Sequence, residues 1–321
     1  MPIPSTTFTE IVTSTLRRHP AVVNDAVSKH NALYRRLSQK KNIELVSGGY
    51  ELVENLDYQD NQTYQRYSGY DSLNIAQSDV LTAAKYEWVQ AAINVVASGR
   101  ELRMNSGEEA IFKLAKARMT NALRTAANNM STDLYSNGAL ANQMGGLQLL
   151  IQSNGQGTVG GIDAATWSFW QNQFQEIAGT SSKSTIKGGM NQLWLNCVRG
   201  TDKPDLIVMT HDFFSYYWEN LQDLQRYMQA DEGMAGFTAV KFMTADVIFD
   251  SDPTNFTTTG ETGYFLNTDY IKLIVHRDAN WTVAEDRMSV NQDATVIPLY
   301  WMGQAVTSNR ARQGILIDAS S

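Results

Sequence analysis

The chain has one cysteine, four histidines and no long apolar run, and each shortage removes a class of function. A single thiol, Cys197, cannot close an internal disulfide, which fits a reducing compartment. It cannot build a zinc site either, and His19, His30, His211 and His276 share no metal-ligand spacing. No stretch approaches the ~18 consecutive apolar residues of a membrane span, and the N-terminus carries no apolar signal core. A soluble, intracellular protein with no membrane partner is expected. The phosphate-cradling G-x-x-x-x-G-K-[ST] and nucleophile-elbow G-x-S-x-G sequences are both missing. Charged residues are only 18% of the 321, below the ~25% usual for soluble proteins.

What is present is a globular composition. Hydrophobic residues are 43% of the chain, enough for a sizeable core, and the length favours two domains or one with large extensions. Asn and Gln fill many positions where Lys or Glu would be usual. Amides hydrogen-bond without the desolvation cost of burying charge, so this surface suits subunit contacts; compositional bias of the lineage explains it equally well. The net charge of −7 hides an asymmetry. Residues 1–41 hold seven basic side chains (Arg17, Arg18, Lys29, Arg35, Arg36, Lys40 and Lys41) against two acidic ones, a balance of +5. The rest of the chain carries 19 basic against 31 acidic, or −12. Such an arm binds either a polyanion or the acidic surface of a neighbour. It lacks interleaved aromatics, which argues against specific nucleic-acid recognition.

The most informative stretch is 43–98. On its outward limb Tyr50, Leu52, Leu56 and Tyr58 alternate with Glu51, Asn55, Asp57 and Gln59, the period-2 pattern of a half-buried strand. Residues 59–77 carry Tyr64, Tyr67, Gly69 and Tyr70 among Asp, Asn, Gln and Ser. Tyr86 and Trp88 sit on a return limb that runs into Ala91, Ile93, Val95 and Val96. The pattern predicts a long hairpin with too little apolar surface for its own core. An isolated two-stranded ribbon is marginal in water. Tyr58, Tyr64, Tyr67, Tyr70, Tyr86 and Trp88 are therefore expected to rest on another subunit.

Ahead of the hairpin, one short helix with Phe8, Ile11, Val12 and Leu16 on a face is broken by Pro20. A second places Val23, Ala26, Val27, His30, Leu33 and Leu37 in a stripe. Behind it, Ser106-Gly-Glu-Glu109 reads as a capping box opening a spine helix over 107–137, roughly 45 Å long at ~1.5 Å per residue. The pattern then predicts strands at 147–151, 206–209, 239–242, 247–249, 270–276, 295–306 and 313–317. It predicts helices over 184–198 and 212–229, and another capped by Asp163 whose Trp167, Trp170 and Phe174 face the core. The chain is α+β, with a compact domain inserted between the spine helix and the closing strands.

Gly155-Gln-Gly157-Thr-Val-Gly160 matches the G-x-G-x-x-G of dinucleotide-binding folds, after an expected strand and before an expected helix. Against nucleotide binding, three residues separate the strand from the first glycine. An acidic cap at Asp163 stands where pyrophosphate would need the helix N-terminus, and no strand ending in an acidic residue follows. His211-Asp212 reads as a helix start with Asp212 as the cap rather than as acid–base chemistry. No catalytic, cofactor-binding or metal-binding residue is expected.

Met144-Gly-Gly-Leu147, the turn Gly157-Thr-Val-Gly-Gly-Ile162 and the Trp167/Trp170 segment form an ordered set with Ser289-Val-Asn-Gln-Asp-Ala294 and Ser308-Asn-Arg-Ala-Arg-Gln-Gly314. With the order of arm, hairpin, spine and closing strands, the whole chain resembles the major capsid proteins of tailed bacteriophages, of the Hong Kong 97-type capsid fold. That resemblance implies an N-terminal arm (1–42), an extended β-hairpin or E-loop (43–98) and a first part of a P-domain with the spine helix (99–144). An inserted A-domain (145–262), P-domain strands (263–309) and a C-terminal strand returning to the A-domain (310–321) would follow.

The resemblance implies a structural protein and not an enzyme, self-assembling through hexamers and pentamers into an icosahedral shell around double-stranded DNA. It places the protein in the virion capsid, assembled in the host bacterial cytoplasm. The E-loop would lie across a neighbour, and Arg17, Arg18, Arg35, Arg36, Lys40 and Lys41 of the arm would contact a neighbour or, non-specifically, the DNA. With so short an arm, a separate scaffolding protein is expected, and a portal and a decoration protein are the other partners implied. Two alternatives stand beside this: an encapsulin-like nanocompartment shell of the same fold, and a nucleotide-binding enzyme using the Gly155–Gly160 turn.

Overall fold

The computed structural model describes residues 31–104, 108–177, 179, 181–223, 240–250, 262–284, 287–288 and 293–318. The first expected helix and the part of the second before Asn31, Arg17 and Arg18 with them, the Ser106 end of the capping box and the Ser289–Gln292 motif residues lie outside these.

Two sheets carry the fold. At the centre of the first is β14 (Ala294–Thr307), fourteen residues long. On one side it pairs antiparallel with β4 (Val89–Ser98), from Ala294↔Ser98 to Gly303↔Val89. On the other it pairs with β12 (Ile271–Val283), and briefly with β13 (Arg287–Met288). β1 (Ile43–Val46) adds in parallel to the far side of β12, from Ile43↔Leu273 to Val46↔His276. Residues 43–46 and 89–98 are thus strands of a five-stranded sheet rather than limbs of a free hairpin. Ile43, Ile93, Val95 and Ala97 give them apolar faces that only a sheet can cover. The ribbon proper is β2 (Leu52–Asp57) against β3 (Leu81–Tyr86), in register from Leu52↔Tyr86 to Asp57↔Leu81.

Helix α1 (Ala32–Gln39) is capped by Asn31, whose carboxamide oxygen accepts from the Tyr34 N–H at 2.8 Å while its nitrogen donates to Ser131 Oγ at 2.8 Å. After α2 (Gly99–Met104) comes the 28-residue α3 (Glu108–Tyr135), a rod of ~42 Å packed along β4. Met119, Ala122, Leu123, Ala126, Ala127, Met130 and Leu134 recur at three- and four-residue spacing on its buried face. Small residues alternating with large ones let so long a helix lie close to the sheet. Gly138, at φ 67°, then turns the chain back, and Asn137 bridges Gly145.

The second sheet runs β7 (Gln173–Ile177), β15 (Gly314–Asp318), β11 (Thr262–Leu266), β8 (Leu206–Met209), β10 (Ala245–Phe249), β9 (Val240–Phe242). All four residues of β8 are buried, the continuous apolar run of a strand covered on both faces. Leu206, Val208, Tyr264, Leu266 and Ile315 face the core shared with the first sheet. Ile207, Met209, Phe265 and Leu316 face a second core under α5 (Ile186–Cys197) and α6 (His211–Asp223), where Cys197 is also buried.

Three local expectations fail. Residues 147–151 form a helical turn, α4 (Leu147–Leu150), because Leu147 and Leu150 reach the core at i,i+3. No helix follows Asp163. It ends a two-residue hairpin of β5 (Thr158–Val159) and β6 (Ile162–Asp163), and its carboxylate accepts from the Ala165 N–H and the Thr166 hydroxyl in a local turn. A single 3₁₀ turn (Ser168–Trp170) leads to β7, so only Trp170 is core; Trp167 and Phe174 are half-exposed. Finally, α6 begins at His211, which places Asp212 in its first turn rather than at the cap.

Candidate functional site

The ribbon's lower end stands on the body. Leu52, Leu56, Ala84 and Tyr86 belong to the first core, and the Tyr86 hydroxyl donates to the Thr307 carbonyl at 2.9 Å. Lys85 N–H donates to Gly160 O at 2.9 Å, and a Cβ on Gly160 would stand 2.7 Å from Ala84 Cβ. Lys272 joins Glu44 at 3.1 Å and Glu54 at 3.5 Å, tying β2 to the sheet. Tyr86 is therefore an anchor inside its own chain and not a surface for another subunit. Trp88 is also engaged within the chain: its Nε1 donates to Gly49 O at 2.9 Å and its ring meets His276 edge-on. Tyr58 leans on Trp167 and Phe169, with ring centroids 6.0 and 5.3 Å away, so the half-exposed Trp167 has work at the ribbon's side.

The tip behaves differently. Residues 58–80 form no regular strand, yet amides cross-brace them. Gln65 Nε2 donates to Ser72 O at 2.8 Å, and the Asn74 N–H donates to Gln65 Oε1 at 3.0 Å. The Ser68 N–H donates to Asp71 Oδ2 at 2.8 Å, and Asn61 Oδ1 accepts from both the N–H and the hydroxyl of Thr63. With the polar groups turned on one another, the apolar ones face out. Tyr64 is 80% exposed, Tyr67 65%, Ile75 93% and Tyr70 wholly so, with Leu73 and Leu81 beside them. Exposed rings and aliphatics gathered on one small projection make it a candidate interaction surface. Leu73 and Ile75 were not singled out from the sequence, although their flanking Ser and Asn residues form the same polar context as the tyrosines.

The basic arm is partly spent on its own body. Arg36 reaches Asp205 at 3.0 Å and Asp246 at 3.6 Å, and Lys40 reaches Asp205 at 3.1 Å and Asp269 at 2.7 Å. Those two cations hold α1 against the second sheet. Arg35 is half-buried, and Lys41, at φ 60°, is exposed at the turn into β1.

The glycine turn has no cradle for phosphate. Gly160 and Gly161, at φ 60° and 76°, make the tight turn of the β5–β6 hairpin. Instead of a helix N-terminus, the loop presents carbonyls: Gln156 O and Gly157 O accept from the Arg310 guanidinium. Carbonyls repel a pyrophosphate. Among the described residues no group of three or more His, Cys, Asp or Glu could hold a metal ion, and no helix is long and apolar enough to cross a membrane.

No family model and no curated protein matches the chain. Solved structures do. A capsid subunit of Cyanophage A-1(L) is 12% identical, with a TM-score of 0.63 over 88% of this chain and 92% of that one. The capsid of the native GTA particle is 13% identical, with a TM-score of 0.56 over 88% and 90%. The SrpI encapsulin of Synechococcus elongatus PCC 7942 is 8% identical, with a TM-score of 0.55 over 88% of both chains. The chain therefore has the α+β fold of these shell subunits.

Proposed function

We propose that the protein is a major capsid protein: a structural subunit, not an enzyme, that assembles with copies of itself into a closed icosahedral shell. One observation carries the reading. The tip at 58–80 is braced by its own amides while Tyr64, Tyr67, Tyr70, Leu73 and Ile75 stay largely exposed. Preorganised apolar surface of that kind costs little entropy to dock. The shared fold with phage capsid subunits supports the same reading.

In this reading the β2–β3 ribbon and its tip are the E-loop, α3 with the first sheet is the P-domain, and the second sheet with α5 and α6 is the A-domain, to which β15 returns. Hexamers and pentamers are the building units, and the cargo is double-stranded DNA in a virion assembled in a bacterial cytoplasm, with scaffolding, portal and decoration proteins as further partners. A nanocompartment enclosing protein is the second reading, favoured by the likeness to the SrpI encapsulin.

The test is electron microscopy of purified protein beside a variant lacking 64–70. The intact chain is expected to yield closed particles. The deletion, whose ends lie outside the core, is expected to yield folded subunits or capsomers that do not close. A strictly monomeric intact chain would overturn the shell reading, and normal particles from the deletion would overturn the role of the tip. Absorbance of the filled particles at 260 against 280 nm separates DNA cargo from protein.

A further inference from the structure

An open groove of about 910 Å³ lies beside the foot of the ribbon, between the start of β4, the loop after α3 and a break in β12. The break makes the groove. β12 keeps step with β14 as far as Val275↔Gly303 and resumes only at Asn280↔Trp301, so residues 276–279 leave the ladder. Trp281 then takes φ 51°, a costly conformation for so large a residue, and is held there by burial and by stacking near Trp301. Leu140, 70% exposed, and Tyr300, 38% exposed, stand in the groove with Trp88 and Met302. Its charged lining is Glu87 and Asp278, with no Lys or Arg. Among the described residues neither carboxylate has an ion-pair partner. A lining of this kind suits an apolar segment that carries cations at one end.

The chain holds such a segment ahead of Asn31. Phe8, Ile11, Val12 and Leu16 recur at helical spacing, Arg17 and Arg18 follow directly, and Glu10 is the only acid from Phe8 to Arg18. Apolar residues at i, i+3 and i+4 are the anchors by which an amphipathic helix lies in a groove. The chain also reaches Asn31 close to one wall of this groove. Asn31 is fully buried and its Nδ2 donates to Ser131 Oγ at 2.8 Å. Gln143, in the wall, donates from Nε2 to Asp133 Oδ1 at 3.2 Å. Both are thus pinned to the same turn of α3. The connection from Arg18 to Asn31 can span roughly 40 Å when extended, about the length of α3 itself.

We propose that residues 8–18 dock in the groove of their own subunit, with the Phe8–Leu16 face on Leu140, Trp88 and Tyr300 and with Arg17 and Arg18 against Glu87 and Asp278. The tether selects the chain's own groove. Held by so short a connection, the segment meets that groove at an effective concentration on the order of mM, far above that of a second copy in dilute solution. Docking covers the apolar face of the segment and the apolar lining of the groove together while the subunit is alone. The inference does not depend on the shell reading, because the contact lies within one chain.

The test uses full-length protein at about 1 μM, where the tethered contact outcompetes a second copy. Thr13→Cys and Ala279→Cys are placed in one chain and treated with a short bis-maleimide, Cys197 being buried. A cross-linked monomer of altered mobility on a denaturing gel is expected, at a yield independent of protein concentration. Adding Arg17→Glu with Arg18→Glu is expected to lower that yield at least about fivefold, and adding Glu87→Arg with Asp278→Arg as well is expected to restore it. Cross-linked dimer without cross-linked monomer would place the segment on a second copy, and no product at all would leave the groove without it. Either result, or a yield unmoved by reversing the two arginines, would overturn the proposal. Particle formation by the wild type is a separate readout: its failure would overturn the shell reading and leave this contact standing.

Discussion

Arg310 is the least expected side chain in the molecule. It is fully buried, and its guanidinium donates to Leu150 O at 2.8 Å, Gln156 O at 3.0 Å, Gly157 O at 3.4 Å and Asn172 Oδ1 at 3.0 Å. No carboxylate pairs with it among the described residues, and burial pulls its pKa down to about 10. A planar fork with five donors can satisfy four neutral acceptors at once, which lysine cannot. Arg310→Met strands those acceptors in the core. The expected loss is roughly 3–5 kcal/mol of unfolding free energy, read from the urea midpoint, with Arg310→Lys recovering little of it. A loss under ~1 kcal/mol would mean water replaces the guanidinium. Cys197 offers a simpler check. Burial pushes its thiol up to about 12, so a disulfide-exchange reagent at pH 8 is expected to find no thiol in the folded protein and one after denaturation. The role of Arg310 could not be read from sequence spacing. The acceptors of Arg310 come from residues 138–160 positions away, and only the fold brings them together.

At the scale of elements, legibility followed periodicity. β8, β14, α5, most of α3 and β12 as far as His276 were visible because long or strongly patterned runs have one way to bury their apolar faces. The 147–151 run was too short to distinguish i,i+3 from i,i+2, and Asp163 gave a helix-cap signal that a local turn satisfied equally well. The arm's charge was visible, but its partners were not. Asp205, Asp246 and Asp269 are far away in sequence, and their ion pairs with Arg36 and Lys40 latch α1 to the body. Burial raises the Asp205 pKa, yet the Thr268 N–H and hydroxyl, each at 2.7 Å, together with Lys40 and Arg36, outweigh it and leave the carboxyl below its usual value. A depressed carboxylate stabilises the fold above the unfolded value of ~3.9, and that contribution disappears as pH falls through the lower folded value. Asp205→Asn is expected to cost roughly 1–3 kcal/mol at pH 7, and the gap to wild type should close progressively in urea titrations below about pH 4. A gap that is the same at pH 3 and pH 7 would show that the latch works by shape and not by charge.

At the scale of the whole molecule, charge and apolar surface pull in opposite directions. Every copy carries −7, with the acidic excess beyond residue 41, so copies approaching one another repel over the range set by salt. That range is ~30 Å at 0.01 M ionic strength and ~8 Å at 0.15 M. The attraction offered by Tyr64, Tyr67, Tyr70, Leu73 and Ile75 acts only at contact and is nearly indifferent to modest salt. Raising sodium chloride from about 10 mM to about 150 mM should therefore weaken the long-range repulsion more than the contact attraction. The protein concentration at which light scattering first reports particles is expected to fall over that interval. If it rises instead, ion pairs rather than buried rings supply most of the association energy.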